Sequence, residues 1–411
     1  MARVSSHSTR QQGHVDDVGG RTAATRRRSR ATVVRNLLAH PLTLARQIAL
    51  TLTSRLKPLR VPCLPVTLDL EPNNDCNFEC PHCQVTHWAK RRFRLGRESF
   101  ERILDQFPRF AALKLQGMGE PLLNSEMLPM LSAGEARGIP MHFTSNGSVM
   151  TPAIAAKLLR LRRTRITFSI DGATAGVFER VRVGGKFEKV CDNVRQLTRL
   201  RGHAREPAID VWTVVTKENV AELPDIVRLA KGLGVDAITF QLFVSNWGKL
   251  EMNPHAETVR VPSTDPHLEA LLRQAQRVAK MVGIPLTIHR DNFLSRKKPC
   301  TWPWTSAFIA SNGDVVPCSI VADSDTVRMG NVFVQPFREI WNGPAYQHLR
   351  EQIRTHQLPH FCRGCYESAA SEPSIERATG RRAPNNLRTI ELRLTGVAAG
   401  HETCPRPGAP E

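Results

Sequence analysis

Short apolar stretches alternate with longer amphipathic stretches between residue 64 and about residue 241. The short stretches are typical of buried strands, and they predict strands at 66–70, 111–116, 140–144, 165–170, 209–215 and 237–242. The longer stretches carry apolar residues at helical spacing, and they predict helices at 98–107, 127–137, 152–161, 187–199 and 220–233. Strands that alternate with helices in this way predict an α/β protein with a parallel sheet.

Length and composition favour two domains with tails at both ends. The chain has 411 residues, and hydrophobic residues make up 41% of them, enough for a sizeable core. No run of about 18 uncharged apolar residues is present, so we expect no transmembrane span. Charged residues and a proline interrupt the apolar stretch at 33–52, so no secretory signal is predicted either.

The positive charge is concentrated near the N-terminus. The formal net charge is +19, and residues 1–60 hold twelve Arg or Lys against two Asp. No aromatic stacking platform accompanies these arginines, so we expect a disordered basic tail over 1–31 and no binding of nucleic acid. Residues 32–63 form an amphipathic helical lead-in, which either packs on the following domain or contacts an anionic membrane through 32–56. Residues 371–411 are again predicted to be disordered.

Three clustered cysteines follow the first predicted strand. Cys76, Cys80 and Cys83 have the spacing C-x3-C-x2-C. Three thiolates on one loop can bind three irons of a [4Fe-4S] cluster and leave the fourth iron open to a small molecule. Zinc is an alternative, although the loop offers no fourth ligand. Disulfides are a second alternative, although they would leave one of the three cysteines unpaired.

The spacing resembles that of the radical S-adenosylmethionine (SAM) superfamily, in which SAM chelates the open iron. The resemblance implies an open (β/α)6 partial TIM barrel over 64–290, since six β/α units are too few for a closed barrel of eight. It implies that the chemistry takes place where the parallel strands end. The cofactors would be the SAM-binding [4Fe-4S] cluster and SAM itself.

Polar motifs follow successive predicted strands, as the resemblance requires. Gly119 and Glu120, in the run Gly-Met-Gly-Glu, resemble the Gly-Gly-Glu motif that receives the amino group of SAM, with a methionine in place of one glycine. Asn146 follows the third strand and resembles a residue near the SAM ribose and methionine. By the same resemblance, Ser169 together with Arg180 or Arg182 would bind the SAM carboxylate. His82 would lie near the adenine of SAM.

A second cysteine group lies in the C-terminal third of the chain, where Cys300, Cys318, Cys362 and Cys365 are separated by 17, 43 and 2 residues. A hairpin is predicted around residues 307–318, followed by one helix around 339–354. Four sulfurs could bind a structural zinc ion. The pattern resembles more closely the SPASM domain, in its shortened twitch form, which implies a second (auxiliary) [4Fe-4S] cluster in a small domain over 291–370. Cys63 and Cys191 lie in apolar surroundings typical of core thiols.

The resemblance implies that SAM is cleaved to a 5′-deoxyadenosyl radical, which takes hydrogen from a substrate carbon. Loss of that hydrogen atom leaves a substrate radical. If the auxiliary cluster accepts one electron from this radical, the substrate undergoes a net two-electron oxidation. The preferred substrate is a small polar metabolite, such as a sugar or an aminocyclitol. Two alternatives are a peptide or protein, and redox-neutral epimerisation with Cys191 or Cys404 as hydrogen donor. A simple electron carrier is disfavoured, because it has no need of the SAM motifs.

The partners and the compartment follow from the same reasoning. The resemblance implies a flavodoxin- or ferredoxin-type reductant. Seven of the ten cysteines fall in the two groups, which favours ligation over disulfides and therefore a cytoplasmic location.

Overall fold

The structure is a computed structural model, and it describes residues 41–87, 91–108, 110–262, 265–290 and 299–370. Strands of these residues join into one sheet. In chain order they are β1 Thr67–Leu70, β2 Ala112–Leu115, β3 Met141–Ser145, β4 Thr164–Ser169, β5 Ala208–Val214, β6 Ala237–Gln241, β7 Leu286–His289, β8 Ser306–Ile309, β9 Asp314–Val316 and β10 Gly330–Asn331.

The helices of the described residues mostly follow the strands one by one. They are α1 Pro41–Leu56, α2 Arg97–Asp105, α3 Met127–Ala136, α4 Pro152–Leu158, α5 Ala175–Val181, α6 Phe187–Arg201, α7 Leu223–Gly232, α8 Asn253–Val259, α9 Leu268–Val282, α10 Trp302–Thr305, α11 Phe337–Trp341, α12 Pro344–Arg354 and α13 His360–Ala370.

Strands β1 to β7 are parallel neighbours in chain order. The described part of the sheet is open, because it ends at β7 on one side and at β10 on the other. Along β4 the side chains alternate between the two faces, and Ile166 and Phe168 are fully buried on one of them. The predicted α/β fold, an open partial barrel, is therefore confirmed.

The six predicted strands all occur within one residue of their expected ends. Strand β7 is an addition that the sequence pattern did not indicate. Its four residues, Leu286–His289, are all half-buried and show no clear alternation of buried and exposed positions. Such a strand lacks the period-two signal on which strand prediction depends.

The C-terminal hairpin extends the sheet of the barrel. Strand β8 lies parallel to β1 and pairs with it over its whole length, with Leu68 beside Ala307 and Leu70 beside Ile309. Strand β9 then pairs antiparallel with β8, and β10 with β9. The hairpin predicted at 307–318 is thus present, and it is fused to the barrel edge through β1.

The single helix predicted around 339–354 is wrong in one respect, since the structure has two helices, α11 and α12, in this region. The break falls at Asn342 and Gly343, before the proline that starts α12. The Asn342 side chain accepts a hydrogen bond from the Val61 amide at 2.8 Å and donates one to the Val61 carbonyl at 2.9 Å. The break therefore lets Asn342 bind the segment that enters β1.

Helix α1 occupies part of the predicted lead-in and packs on the rest of the protein. Leu50 is buried, and the Arg46 guanidinium donates to the Leu64 carbonyl at 3.1 Å. Ile48, Leu52 and Leu56 form an exposed apolar stripe on α1. In the described part of the chain, no helix has the length and apolar character that crossing a membrane requires. The predictions for 1–31, 32–40 and 371–411 lie outside the described residues.

Candidate functional site

The first cysteine group lies on the loop that leaves β1. Asn73 fixes the start of this loop, because its side-chain amide donates to the Asp75 carbonyl at 2.9 Å and to the Glu120 carbonyl at 3.0 Å. Asp75 in turn forms an ion pair with Arg94 at 2.6 Å. The loop is therefore attached to the residues that follow β2 before the first cysteine is reached.

The three thiols of this loop are close enough to affect one another. Burial raises the pKa of Cys76 to about 12, although the Phe78 amide hydrogen bond lowers it, and the neighbouring Cys80 and Cys83 raise it further. Burial also raises the pKa of Cys80, to about 11, and that of Cys83. Thiolate is the form that binds a metal, so the loop needs a cationic centre to become fully ionised.

A buried ion pair lies beside the cysteines. Arg182 Nε is 2.6 Å from Asp171 Oδ2, and His82 Nε2 is 3.4 Å from the same oxygen. Burial, together with the Arg182 charge, lowers the pKa of His82 to about 4, so the imidazole is neutral at pH 7. His82 Nδ1 is buried with no hydrogen-bond partner among the described residues. A buried nitrogen without a partner can form a hydrogen bond with a bound polar ligand.

The structure distinguishes the two candidate arginines. The Arg182 side chain is 11% exposed, and its Nη1 lies 3.8 Å from Cys80 Sγ. The Arg180 side chain is 59% exposed and pairs with Glu218 at 3.2 Å on the surface. Only Arg182 is therefore brought to the first cysteine group.

Glu120 connects the loops after β2 and β3. Its Oε1 accepts hydrogen bonds from the Leu122 amide at 3.0 Å and the Ser145 hydroxyl at 2.8 Å, and its Oε2 accepts one from the Asn146 amide at 2.6 Å. Burial raises the pKa of Glu120, and these three hydrogen bonds oppose that shift. Oε2 retains capacity for one more donor, so a contact with the amino group of SAM stays a prediction.

Asn146 supports the cysteine loop through a closed ring of hydrogen bonds. Its Nδ2 donates to Asn77 Oδ1 at 3.0 Å, and Asn77 Nδ2 donates to Ser148 Oγ at 2.9 Å. The Ser148 hydroxyl then donates back to Asn146 Oδ1 at 2.7 Å. Asn146 Nδ2 also lies 3.9 Å from Cys76 Sγ. The turn after β3 thus fixes the position of the first cysteine.

The other predicted residues also lie at strand ends. Ser169 is the last residue of β4 and is buried. Gly119 lies where a Cβ atom would come within 2.5 Å of the carbonyl oxygens of Asn73 and Asp75. A glycine is therefore required for the loop after β2 to approach the cysteine loop.

The second cysteine group also converges in the structure. Burial raises the pKa of Cys362, and the neighbouring Cys318, Cys300 and Cys365 raise it further. The Cys300 amide donates to the Tyr366 hydroxyl at 2.8 Å. Cys362 and Cys365 lie on helix α13, whereas Cys318 follows strand β9. Three separate segments therefore supply the four sulfurs.

Neither group has the tight geometry of a mononuclear site. Within the ranges described, no three His, Cys, Asp or Glu side chains are arranged to bind one metal ion. In a [4Fe-4S] cluster each cysteine binds a different iron, so the ligands stand farther apart than around a single ion. The seven cysteines therefore stay predicted ligands, and zinc stays the alternative for the second group.

Comparison with known proteins agrees with this chemistry. The sequence profile of the Radical SAM superfamily matches residues 70–230, and that of SPASM, an iron-sulfur cluster-binding domain, matches residues 300–366. The chain therefore has a radical SAM domain followed by a SPASM domain. Its cofactors are accordingly a SAM-binding [4Fe-4S] cluster, SAM, and an auxiliary iron–sulfur cluster in the SPASM domain.

Relatives of this radical SAM protein differ in what they make. An AdoMet-dependent heme synthase of Methanosarcina barkeri is 26% identical over 302 residues, which cover 67% of this chain and 82% of the relative. The mycofactocin maturase MftC of Mycolicibacterium smegmatis is 29% identical, covering 73% and 75%. The crystal structure of Streptococcus suis SuiB bound to its precursor peptide SuiA has a TM-score of 0.58 at 16% identity, covering 72% and 69%. At this low sequence identity, the similarity to SuiB shows a shared fold and nothing further.

One segment of the radical SAM protein reaches the chain segments that carry the two cysteine groups. His255 Nε2 lies 2.6 Å from the carbonyl oxygen of Pro81, the residue after Cys80. At the other end of the segment, the Asn246 side chain fills the space beside Gly364, where a Cβ atom would lie 2.5 Å from Asn246 Nδ2. Residues 246–255 therefore connect the loop of the first group to the helix of the second.

The same segment includes Trp247, which is buried and has a positive φ of 53°. Its indole stacks on the ring of His87 with centroids 5.9 Å apart. A bulky residue in this backbone conformation is strained, and such strain tends to occur at functional sites.

Sequence reasoning missed several residues that support the site. Asp171 lies two residues after β4, but nothing in the sequence indicated that it pairs with Arg182. Asn77 and Ser148 are ordinary loop residues in the sequence, and only their closed ring with Asn146 reveals their role. Glu71, directly after β1, gave no signal because its partners are distant along the chain.

Proposed function

We propose that this radical SAM protein carries out a net two-electron oxidation of a small polar metabolite, such as a sugar or an aminocyclitol. The observation that carries the proposal is that residues 246–255 reach from Pro81, on the loop of the first cysteine group, to Gly364, on the helix of the second. A substrate held beside this segment would lie near both redox centres. Removal of one hydrogen atom followed by transfer of one electron is then possible at one place.

Cys76, Cys80 and Cys83 are the proposed ligands of the first cluster. When bound, this cluster supplies the electron that cleaves SAM and so provides the radical that takes a hydrogen atom from the substrate. The chain adds donors around the sulfurs. The Phe78 amide lies 3.5 Å from Cys76 Sγ, and Arg182 Nη1 lies 3.8 Å from Cys80 Sγ. Donors of this kind adjust the potential of a cluster.

Arg182 is the proposed partner of the SAM carboxylate, with Ser169 beside it at the end of β4. The guanidinium is held by the buried Asp171, and its charge is retained because that ion pair raises its pKa against the effect of burial. Gly119 and Glu120 would face the SAM amino group. Asn146 and His82 would lie near the ribose and the adenine, respectively.

Cys300, Cys318, Cys362 and Cys365 are the proposed ligands of the auxiliary cluster. All four protein ligands are then supplied, and none of the irons needs to bind substrate. This arrangement suits electron acceptance. Replacing Cys318 and Cys362 by Ala should leave 5′-deoxyadenosine formation intact and abolish the oxidised product. A folded double variant that still forms oxidised product at the wild-type rate would make the auxiliary cluster structural.

The external electron would come from a flavodoxin- or ferredoxin-type protein, and the proposed location is the cytoplasm. Peripheral membrane contact is proposed for residues 32–56, and the exposed stripe of Ile48, Leu52 and Leu56 on α1 supports it. Co-sedimentation with anionic vesicles tests this contact. A Leu52→Ser, Leu56→Ser variant that still sediments would contradict it.

A peptide substrate is the second candidate, because of what two similar proteins are called or were crystallised with. MftC is named as a maturase, and SuiB was crystallised with its precursor peptide. The redox-neutral alternative is less well supported. Cys191 is buried in α6, and burial raises its pKa to about 11, while Cys404 lies outside the described residues.

Deuterium transfer separates the two substrate classes. Extracts of cells grown in D2O are fractionated by size and added to the reconstituted enzyme with SAM and reductant. A true substrate donates deuterium to 5′-deoxyadenosine, which mass spectrometry detects. We expect the label with the small-molecule fraction. Label that comes only with the peptide fraction would replace the metabolite proposal with the peptide candidate.

A further inference from the structure

Glu71 occupies the junction between the barrel and the C-terminal iron–sulfur domain. It follows β1 directly, and its side chain is buried, with the residue only 1% exposed. Its amide donates to the carbonyl of Ile309, the last residue of β8, at 2.9 Å. The backbone of Glu71 thus continues the pairing of β1 with β8 by one residue.

The Glu71 carboxylate accepts hydrogen bonds from two further loops. Oε1 accepts from the Met118 amide at 2.9 Å. Oε2 accepts from the Ser311 amide at 3.1 Å and from the Ser311 hydroxyl at 2.8 Å. Met118 belongs to the loop after β2, and Ser311 belongs to the turn between β8 and β9. One side chain therefore joins the proposed SAM loop to the hairpin of the SPASM domain.

The neighbouring sequence is adapted to this contact. A Cβ atom on Gly117 would lie 2.2 Å from Glu71 Cγ and 2.4 Å from Glu71 Oε1. Only a glycine lets the loop after β2 pass so close to the carboxylate. Burying a carboxylate is costly unless donors surround it, and here three hydrogen bonds from two loops satisfy it.

We propose that Glu71 is a positioning residue through which the SPASM hairpin sets the affinity of the barrel for SAM. The inference rests on the proposed SAM site. The path is short, because Met118 lies two residues before Glu120. Glu120 in turn holds the amide of Asn146 at 2.6 Å, next to the first cysteine group. A change at Ser311 should therefore alter SAM binding although Ser311 belongs to the other domain.

Two variants in one turn test the inference. Ser311→Ala removes the hydroxyl that donates to Glu71. Asn312→Ala is the matched control, because the Asn312 side chain contacts Asp314 in the same turn. Glu71→Gln is the third variant. The NH2 group of the glutamine is itself a donor, so it would face one of the N–H or O–H groups that now donate to the carboxylate. Each reconstituted protein is measured without reductant for SAM Kd by anaerobic equilibrium dialysis, for iron content, and for Tm.

We expect Ser311→Ala to raise the Kd for SAM about fivefold and Glu71→Gln to raise it more than tenfold, as the loss of hydrogen bonds to a charged group predicts. Iron content and the Kd of Asn312→Ala should equal those of the unaltered protein. Unchanged SAM binding in Ser311→Ala would overturn the inference alone, whether or not its Tm is lowered, because Glu71 would then not transmit the contact to the SAM site. An equal effect of Asn312→Ala would also overturn it. Failure of the unaltered protein to bind SAM would overturn the proposed function, and the inference with it.

Discussion

The Arg182 guanidinium lies against the first cysteine group, with Nη1 3.8 Å from Cys80 Sγ. The same guanidinium pairs with Asp171, whose side chain is fully buried. A buried carboxylate on one side and a thiol on the other hold the arginine in one orientation. A planar donor fixed in this way suits the carboxylate of an incoming amino-acid moiety.

The two arginines of this region provide a matched pair. Arg182→Lys keeps a charge near Asp171 but loses the planar fork, so we expect the Kd for SAM to rise about tenfold or more. Arg180→Lys should leave the Kd unchanged, because Arg180 is exposed and pairs with Glu218 on the surface. Equilibrium dialysis with radiolabelled SAM measures both. Weaker binding in Arg180→Lys alone would reverse the assignment.

Iron content tests the two cysteine groups separately. The reconstituted protein should contain about eight irons per chain, as two [4Fe-4S] clusters require. Replacing Cys76, Cys80 and Cys83 together by Ala should leave about four. Cys191→Ala is the control and should retain about eight, because Cys191 is buried in α6 away from both groups in the sequence. Stoichiometric zinc with about four irons would show that the second group binds zinc.

Gly119 should tolerate no side chain. A Cβ atom there would meet the carbonyl oxygens of Asn73 and Asp75 at 2.5 Å, and those oxygens belong to the backbone of the cysteine loop. We expect Gly119→Ala to destabilise the protein by about 1–3 kcal/mol and to lower its iron content. Gly96→Ala is the control, because nothing lies within 4 Å of its Cβ position. Thermal unfolding followed by circular dichroism compares the two, and equal Tm values would contradict the expectation.

His142 should make stability depend on pH. Burial, together with the Lys114 and Arg165 charges, lowers the pKa of His142 well below its usual value of 6.5. The unfolded chain therefore binds a proton that the folded chain does not, so stability falls as the pH drops below about 6.5. Between about pH 7.5 and pH 5.5 this residue should account for a loss of about 1 kcal/mol.

Urea unfolding of the unaltered protein and of His142→Gln at both pH values isolates this contribution. Gln can retain the hydrogen bond that His142 Nε2 makes with Thr167 Oγ1 at 2.8 Å. The variant should lose less stability on acidification than the unaltered protein. Equal losses in the two proteins would mean that His142 does not titrate in this range.

The strands of the barrel could be predicted because their signal is local. Each of the six predicted strands carries its own apolar stretch, and the structure has them within one residue. Strand β7 escaped prediction because its residues are all half-buried at the edge of the sheet. The pairing of β8 with β1 could not be predicted, since Leu68 and Ala307 are brought together only by the folded chain.

Some features of the candidate site could likewise be predicted from the sequence, whereas others depend on the folded structure. Cysteine spacing is a property of the sequence, so both groups could be predicted before their convergence was known. The choice of Arg182 over Arg180 depends on burial, which two arginines so close together in one helical region do not reveal. The contact of Glu71 with Ser311 spans 240 positions and has no local pattern.

Radical SAM chemistry is tested most directly by cleavage of SAM by the reconstituted protein under dithionite without added substrate. We expect slow formation of 5′-deoxyadenosine and methionine in equal amounts, detected by liquid chromatography and mass spectrometry. The variant with Ala at Cys76, Cys80 and Cys83 should form neither. S-adenosylhomocysteine as the main product, or 5′-deoxyadenosine at the same rate from the triple variant, would contradict reductive cleavage of SAM at the first cysteine group.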